Sequence, residues 1–300
     1  MISVEHDGPI TIVTIDRPDV RNAVDGPTAE GLRKAFRTFD SDDDRSVAIL
    51  TGAGGHFSAG ADLVAMTDPE RELKMQAPPA PGPLGCTRMR LDKPVIAAVE
   101  GYAVAGGLEL ALWADMRVAA ESAVFGVFCR RFGVPLVDLG AVRLPRLIGH
   151  SHAMDMILTG RAVDAEEAKM MGLANRVVPD GQALDAALEL ARSLVAFPQR
   201  TMRSDRRIAI EQWDLDDERW HMREYLLGRT VLMSGEAEEG MRRFAAGEGR
   251  HGEFDQDCSA SGQPRSRQRP APSGAGRWCS VGVSAGPGRS PGRRSASARS

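Results

Sequence analysis

At 300 residues, 42% of them hydrophobic and 26% charged, the chain is long enough to bury a large core and is ordinary in composition for a soluble enzyme. No apolar run approaches the ~20 residues that cross a bilayer, and the N-terminus lacks the basic and apolar regions of a signal peptide. The four scattered cysteines, Cys86, Cys129, Cys258 and Cys279, form no C-x-x-C pair, which argues against a zinc site or a disulfide framework and fits a reducing cytoplasm.

Ile2–Glu5 and Ile10–Ile15 read as short strands separated by the breaker Asp7-Gly8-Pro9. A helix is expected from about Thr28 to Asp40, with Leu32, Ala35, Phe36 and Phe39 on its apolar face. Val47–Thr51 is a buried strand that runs into Gly52-Ala53-Gly54-Gly55-His56-Phe57-Ser58-Ala59-Gly60-Ala61-Asp62-Leu63. This glycine-rich stretch lacks the spacing of a P-loop or a dinucleotide fingerprint. Residues 68–85 hold five prolines and read as a loop with a broken helix around Glu70–Met75.

Pro94–Val99 is a second buried strand, and it leads through Gly106-Gly107 into a helix start at Glu109–Trp113. Glycine lets a ligand approach the backbone, and a helix start offers free N–H groups and partial positive charge. Such a turn suits an oxygen that gains negative charge. Ala61 sits at a matching turn, so two N–H groups from separate strand ends are candidates for one oxyanion hole. Glu109 stands among Leu108, Leu110, Ala111, Leu112 and Trp113, where a carboxylate is costly unless it is hydrogen-bonded or working.

Farther on, Asp115–Ala120 and Ala123–Gly126 read as extended segments. Ser151 reads as the N-cap of a helix over Ala153–Leu158; His150 and His152 find no third metal ligand. Ala165–Met171 is a short helix closed by Gly172, and Asn175–Pro179 a short strand. Leu184, Ala187, Leu188, Ala191, Leu194 and Val195 form a helical stripe, followed by helices near 200–213, 218–233 and 236–246. From Cys258 onward Ser, Gly, Pro, Ala and Arg dominate. The net charge of −3 divides into +8 for that segment and −11 for residues 1–257. Its composition predicts a disordered basic tail, with no specific nucleic-acid partner assigned to it.

His56–Leu63, Lys93–Ala103 and Gly106–Leu110, with Leu158–Arg161, Glu167-Ala168, Gly172–Ala174 and Val177–Pro179, resemble in order the crotonase, or enoyl-CoA hydratase/isomerase, superfamily over roughly Ile2–Gly249. The resemblance implies an α/β fold: a spiral of ββα units over residues 1–197, a helical trimerisation region over 198–250, and the tail over 251–300. It implies an acyl-CoA thioester substrate, a homotrimer or dimer of trimers, no metal and no redox cofactor, with coenzyme A present only as part of the substrate. By motif position Ala61 and Gly106 supply the oxyanion N–H groups and Glu109 is an acid/base, with Gly107 beside it. Val20, Arg21, Ala23, Ala59, Asp62 and Leu63 lie along the coenzyme A arm.

Hydratases of the family use a second glutamate, where this chain has Cys129. Three readings follow. Asp138 supplies the missing carboxylate, or Cys129 beside Arg130 and Arg131 is a thiol of lowered pKa, or Glu109 works alone. Arg130 and Arg131 are also candidates to hold a substrate carboxylate, which would point to a decarboxylase or a diacid thioester. A hydrolase and a non-catalytic acyl-CoA binder are further alternatives.

Overall fold

A computed structural model describes residues 1–249 of the chain. The tail expected over 251–300 lies outside the described residues. Among the described residues, β1 (Ile2–Asp7) and β2 (Ile10–Ile15) form an antiparallel hairpin. The sheet continues in parallel through β3 (Val47–Gly52), β4 (Val95–Val99), β6 (Met116–Ala120) and β9 (Arg176–Val178), in the order β1-β2-β3-β4-β6-β9. A smaller sheet has the order β5-β7-β8, from Tyr102–Val104, Val124–Gly126 and Ala162–Val163.

The apolar runs of β3 and β4 are explained by burial on both faces. Side chains alternate along a strand, so Val47, Ile49, Ile96 and Ala98 face one way. They pack with Ala183, Ala187, Leu190 and Ala191 of α6 (Ala183–Val195). Ala48, Leu50, Ala97 and Val99 face the main core with Leu32, Phe36 and Phe39 of α1 (Gly26–Ser41).

The spiral arises because the chain turns a corner after β2, β3, β4 and β6 of the large sheet. β4 passes through Gly101 into β5, and β6 passes through residues 121–123 into β7. Two isolated parallel bridges, Val24 to Ala61 and Ser58 to Ala103, make the same corner for the preceding turns. Gly101 adopts φ +50°, and a Cβ there would strike the His56 ring, so the corner needs glycine.

Between the strands stand α2 (Gly106–Trp113), α3 (Gly140–Ile148), α4 (His150–Thr159) and α5 (Ala165–Met171). The C-terminal helices α7 (Gln199–Glu211), α8 (Asp217–Leu232) and α9 (Glu236–Ala245) carry no buried residue and pack mainly on one another.

Three local expectations change. The first helix begins at Gly26, because Asp25 is the cap: its Oδ1 accepts from the Thr28 N–H at 3.0 Å. No helix forms over Glu70–Met75; the Asp68 carbonyl accepts from Arg71 and Glu72, but the Arg71 carbonyl is then taken by the Gly26 N–H at 2.7 Å, so the turn does not propagate. Ser151 caps nothing. α3 ends and α4 begins at Gly149, φ +78°, which leaves Ser151 inside the first turn.

Arg117 is only 2% exposed and donates to the carbonyls of Leu173, Ala111 and Ala114 at 2.7, 3.2 and 2.9 Å. Burial lowers its pKa to about 10, with Asp115 opposing. It ties the end of α2 to the α5–β9 connection. Arg117→Met is expected to destabilise the fold by about 3 kcal/mol, read by urea unfolding, because those carbonyls lose their donors.

Candidate active site

The site is built where two corners of the spiral meet. Ser58 N–H donates to the Tyr102 carbonyl at 2.8 Å and Val104 N–H to the Ser58 carbonyl at 3.1 Å, which sets the 58–61 turn beside the start of α2. Gly107 is packed so close to the Ser58 carbonyl that a Cβ there would overlap it. Ala105, at the N-cap of α2, is held at φ 52°, a conformation uncommon outside glycine. Its own N–H is spent on the Gly126 carbonyl at 2.8 Å.

The Ala61 and Gly106 N–H groups have no acceptor among the described residues. They are near neighbours. A Cβ built on Gly60, φ +91°, would lie 2.5 Å from the Gly106 nitrogen, and one on Gly106 would lie 3.3 Å from the Ala61 nitrogen. Val24 holds this arrangement from both sides: Val24 N–H donates to the Gly60 carbonyl at 2.7 Å, and Asp62 N–H to the Val24 carbonyl at 2.9 Å.

Glu109 lies one turn into α2 and is 2% exposed. Its Oε1 accepts from the backbone N–H groups of Asp138 and Gly140, both at 2.8 Å. Burial pushes its pKa up to about 7; the Gly140 bond opposes this and the nearby Asp138 charge adds to it. Asp138 is as deeply buried, and its Oδ1 accepts from the Leu84 N–H at 3.1 Å and from the Thr87 hydroxyl. Burial raises its pKa too, against the Thr87 and Leu84 bonds and the Arg88 and Arg143 charges.

Ala61, Gly106, Glu109, Cys129 and Asp138 all line one cavity of about 380 Å³. The rest of its wall is almost entirely apolar: Ala59, Leu63, Met66, Leu73, Met75, Pro83, Leu84, Ala105, Phe128, Phe132, Val134, Pro135 and Val137. Among the described residues, no group of three His, Cys, Asp or Glu side chains is placed to hold a metal ion.

Of the residues assigned to the coenzyme A arm, Ala59 and Leu63 line this cavity and the others do not. Val20 is 42% exposed, and Arg21, φ 50°, lies over the Tyr102 ring at 5.2 Å. The Ala23 carbonyl accepts from Arg17. Asp62 is paired with Arg17 at 2.8 Å and Arg71 at 3.3 Å, and its Oδ1 accepts from the Ala65 N–H at 3.1 Å. Burial works to raise its pKa, but these partners outweigh it and hold the carboxylate ionised.

Cys129 sits on a 3-10 turn, Phe128–Phe132, on the cavity wall. Its thiol is pushed up, first by burial and then by the Glu109 charge; Arg130 does not offset them. The reading of Cys129 as a low-pKa thiolate therefore fails on electrostatics. Arg130 and Arg131 do not line the cavity. Arg130 Nε donates to the Ile157 carbonyl at 3.0 Å and Arg131 to the Gly160 carbonyl at 3.1 Å, so neither is placed for a substrate carboxylate.

Sequence reasoning missed Gly140 and Thr87, the partners of Glu109 and Asp138, and, Leu63 and Cys129 apart, the walls from the 63–84 and 128–137 segments. These depend on contacts between distant segments and left no local pattern.

A two-sheet spiral with a buried carboxyl beside two unpartnered backbone N–H groups defines an acyl-CoA enzyme of the crotonase fold. The family model for enoyl-CoA hydratase/isomerase matches residues 5–257. The enoyl-CoA hydratase EchA19 of Mycobacterium tuberculosis is 41% identical over 253 residues, covering 81% of this chain and 92% of that protein. A carnitinyl-CoA dehydratase of Salmonella paratyphi A is 39% identical over 254 residues, covering 81% and 95%. The crystal structure of an enoyl-CoA hydratase from Mycobacterium tuberculosis superposes with a TM-score of 0.77 at 39% identity, covering 82% of this chain and 95% of that one. The chain belongs to the enoyl-CoA hydratase/isomerase family and is an enzyme of that type.

Proposed function

We propose that the enzyme hydrates, or shifts the double bond of, 2-enoyl-CoA thioesters whose acyl group is a neutral hydrocarbon. The observation that carries this is the buried Glu109 carboxyl, poised at about 7, on the same cavity wall as the Ala61 and Gly106 N–H groups. The thioester oxygen takes both N–H groups and gains charge as the enolate forms. Glu109 moves the proton at Cα; a group with a pKa near the working pH both gives and takes a proton well. In the hydration direction, water adds its oxygen to Cβ and loses a proton. Asp138, the other carboxyl on the wall, supports the role of base where Cys129 replaces the second glutamate. The apolar wall, with no basic residue on it, favours an uncharged chain over a diacid.

The test is incubation with 2-hexenoyl-CoA in D2O. Hydration or migration of the double bond, with deuterium at Cα, is expected; neither product nor exchange would leave only a binder.

The reading includes no metal or redox cofactor, with coenzyme A entering as part of the substrate. It also includes a homotrimer or dimer of trimers joined through the C-terminal helices. Trp213, Met222 and Tyr225, which are 55%, 58% and 60% exposed in the single chain, support such a contact. Light scattering at one chain mass would exclude it. The buried, unpaired Cys86 and Cys129 support a place in the reducing cytoplasm. No helix among the described residues is long and apolar enough to cross a membrane.

A further inference from the structure

A four-residue charge cluster lies next to the cavity without lining it. Asp25 and Asp62 each have side chains 8% exposed, and they share the guanidinium of Arg17, 15% exposed, at 3.2 and 2.8 Å. Two carboxylates against one cation leave a negative excess in a poorly hydrated place. Arg71 supplies the second cation, at 3.1 Å from Asp25 and 3.3 Å from Asp62. It comes from a different part of the chain, the connection between the 58–62 turn and the β4 strand.

Arg71 is tied twice. Besides its guanidinium contacts, its carbonyl accepts from the Gly26 N–H at 2.7 Å. Gly26 is packed so tightly here that a Cβ would lie 2.7 Å from the Glu72 carbonyl oxygen. Two residues later Leu73, 6% exposed, enters the cavity wall, followed by Met75. On the other side of the cluster, Asp62 is bonded directly after Ala61 in the chain. The far end of the same wall segment is held by Asp138, through the Leu84 N–H and Thr87, and by Arg88, which donates to the Gln76 carbonyl at 2.8 Å. The wall is therefore pinned at one end beside Ala61 and at the other beside Asp138.

We infer that Arg71 is a positioning residue that latches the 71–75 wall of the acyl cavity to the Asp25–Asp62 pair and so holds that wall against the turn carrying Ala61. This rests on the reading of the cavity as the acyl site. Arg71 touches neither the cavity nor the reacting atoms. It acts because its side chain is the only cation, besides Arg17, that bridges both aspartates among the described residues. Its own side chain is 41% exposed, so the tie is solvent-accessible and breakable without unfolding the core, where Arg17 stays in place.

The experiment compares the full-length protein with Arg71→Met, which keeps the length of the stem and removes the charge, and with Arg71→Lys. Calorimetric affinity for hexanoyl-CoA, a saturated thioester, is measured beside KM and kcat for 2-hexenoyl-CoA and backbone hydrogen exchange. For Arg71→Met, a roughly tenfold loss of hexanoyl-CoA affinity is expected. KM should rise in parallel, kcat should fall less, and exchange should quicken over residues 68–76 alone. Arg71→Lys should recover part of the affinity. Affinity and KM within twofold of the wild type would overturn the latch. So would faster exchange throughout the β3 and β4 strands, which would mark a purely structural role. Because hexanoyl-CoA binding needs no turnover, a wild type that binds it but converts nothing would sink the proposed reaction and leave the latch standing.

Discussion

Glu109→Gln is expected to lower kcat about 10³-fold while leaving the affinity for a saturated acyl-CoA within twofold. Gln keeps an oxygen to accept from Asp138 and Gly140, so the loop and α2 stay in place; what is lost is the proton. The same variant should be more stable than the wild type at alkaline pH. Glu109 holds its proton up to about 7 in the folded protein, against an ordinary value of 4.5. Between those values the unfolded chain has released the proton while the folded one still binds it, so wild-type stability falls as pH rises through that window. Below 4.5 both states are protonated and the cost vanishes. The gap between variant and wild type should therefore open from pH 4.5 to about 7 and reach up to about 3 kcal/mol above it, seen as several degrees in Tm. A gap that does not change with pH would show that the carboxyl is not desolvated. Unchanged turnover would remove Glu109 from the chemistry.

Gly140→Ala should cost 10- to 100-fold in kcat although residue 140 carries no reactive group. A Cβ there would lie 2.6 Å from Glu109 Cγ and 2.9 Å from its Oε1. Gly140 opens α3 with an ordinary helical backbone, so alanine meets no conformational penalty of its own and the clash falls on the glutamate. A displaced carboxyl loses the Gly140 and Asp138 N–H bonds and its aim at Cα, and an error near 1 Å costs about 10²-fold. The effect works through Glu109, so adding Gly140→Ala to Glu109→Gln should lower kcat no further. Full additivity in a double-mutant cycle, read from kcat, would overturn this.

Much of the site was legible because its parts are local. A strand followed by glycines and a helix start is written in consecutive residues, so Ala61 and Gly106 were visible as candidate donors. Glu109 stood out as one charge in an apolar octad. The C-terminal helices were legible for the same reason, with boundaries off by a residue or two. The misreadings share the opposite cause. The helix expected over 70–75 fails because the Arg71 carbonyl is claimed by Gly26, forty-five residues away. Cys129 beside Arg130 and Arg131 reads as a thiol of lowered pKa, yet burial and the charge of Glu109, twenty residues away, raise it.

The sequence by itself determined the strand runs, the two glycine turns and the isolated buried acid, because period, propensity and chain order are properties of neighbours along the chain. Tertiary structure alone decided which second carboxyl shares the cavity wall with Glu109, that the thiol of Cys129 is raised rather than lowered, and that Arg130 and Arg131 each donate to a carbonyl at the α4 end. Desolvation and hydrogen bonding depend on what is folded against a group, and here the hydrogen-bond partners come from 27 to 54 residues away.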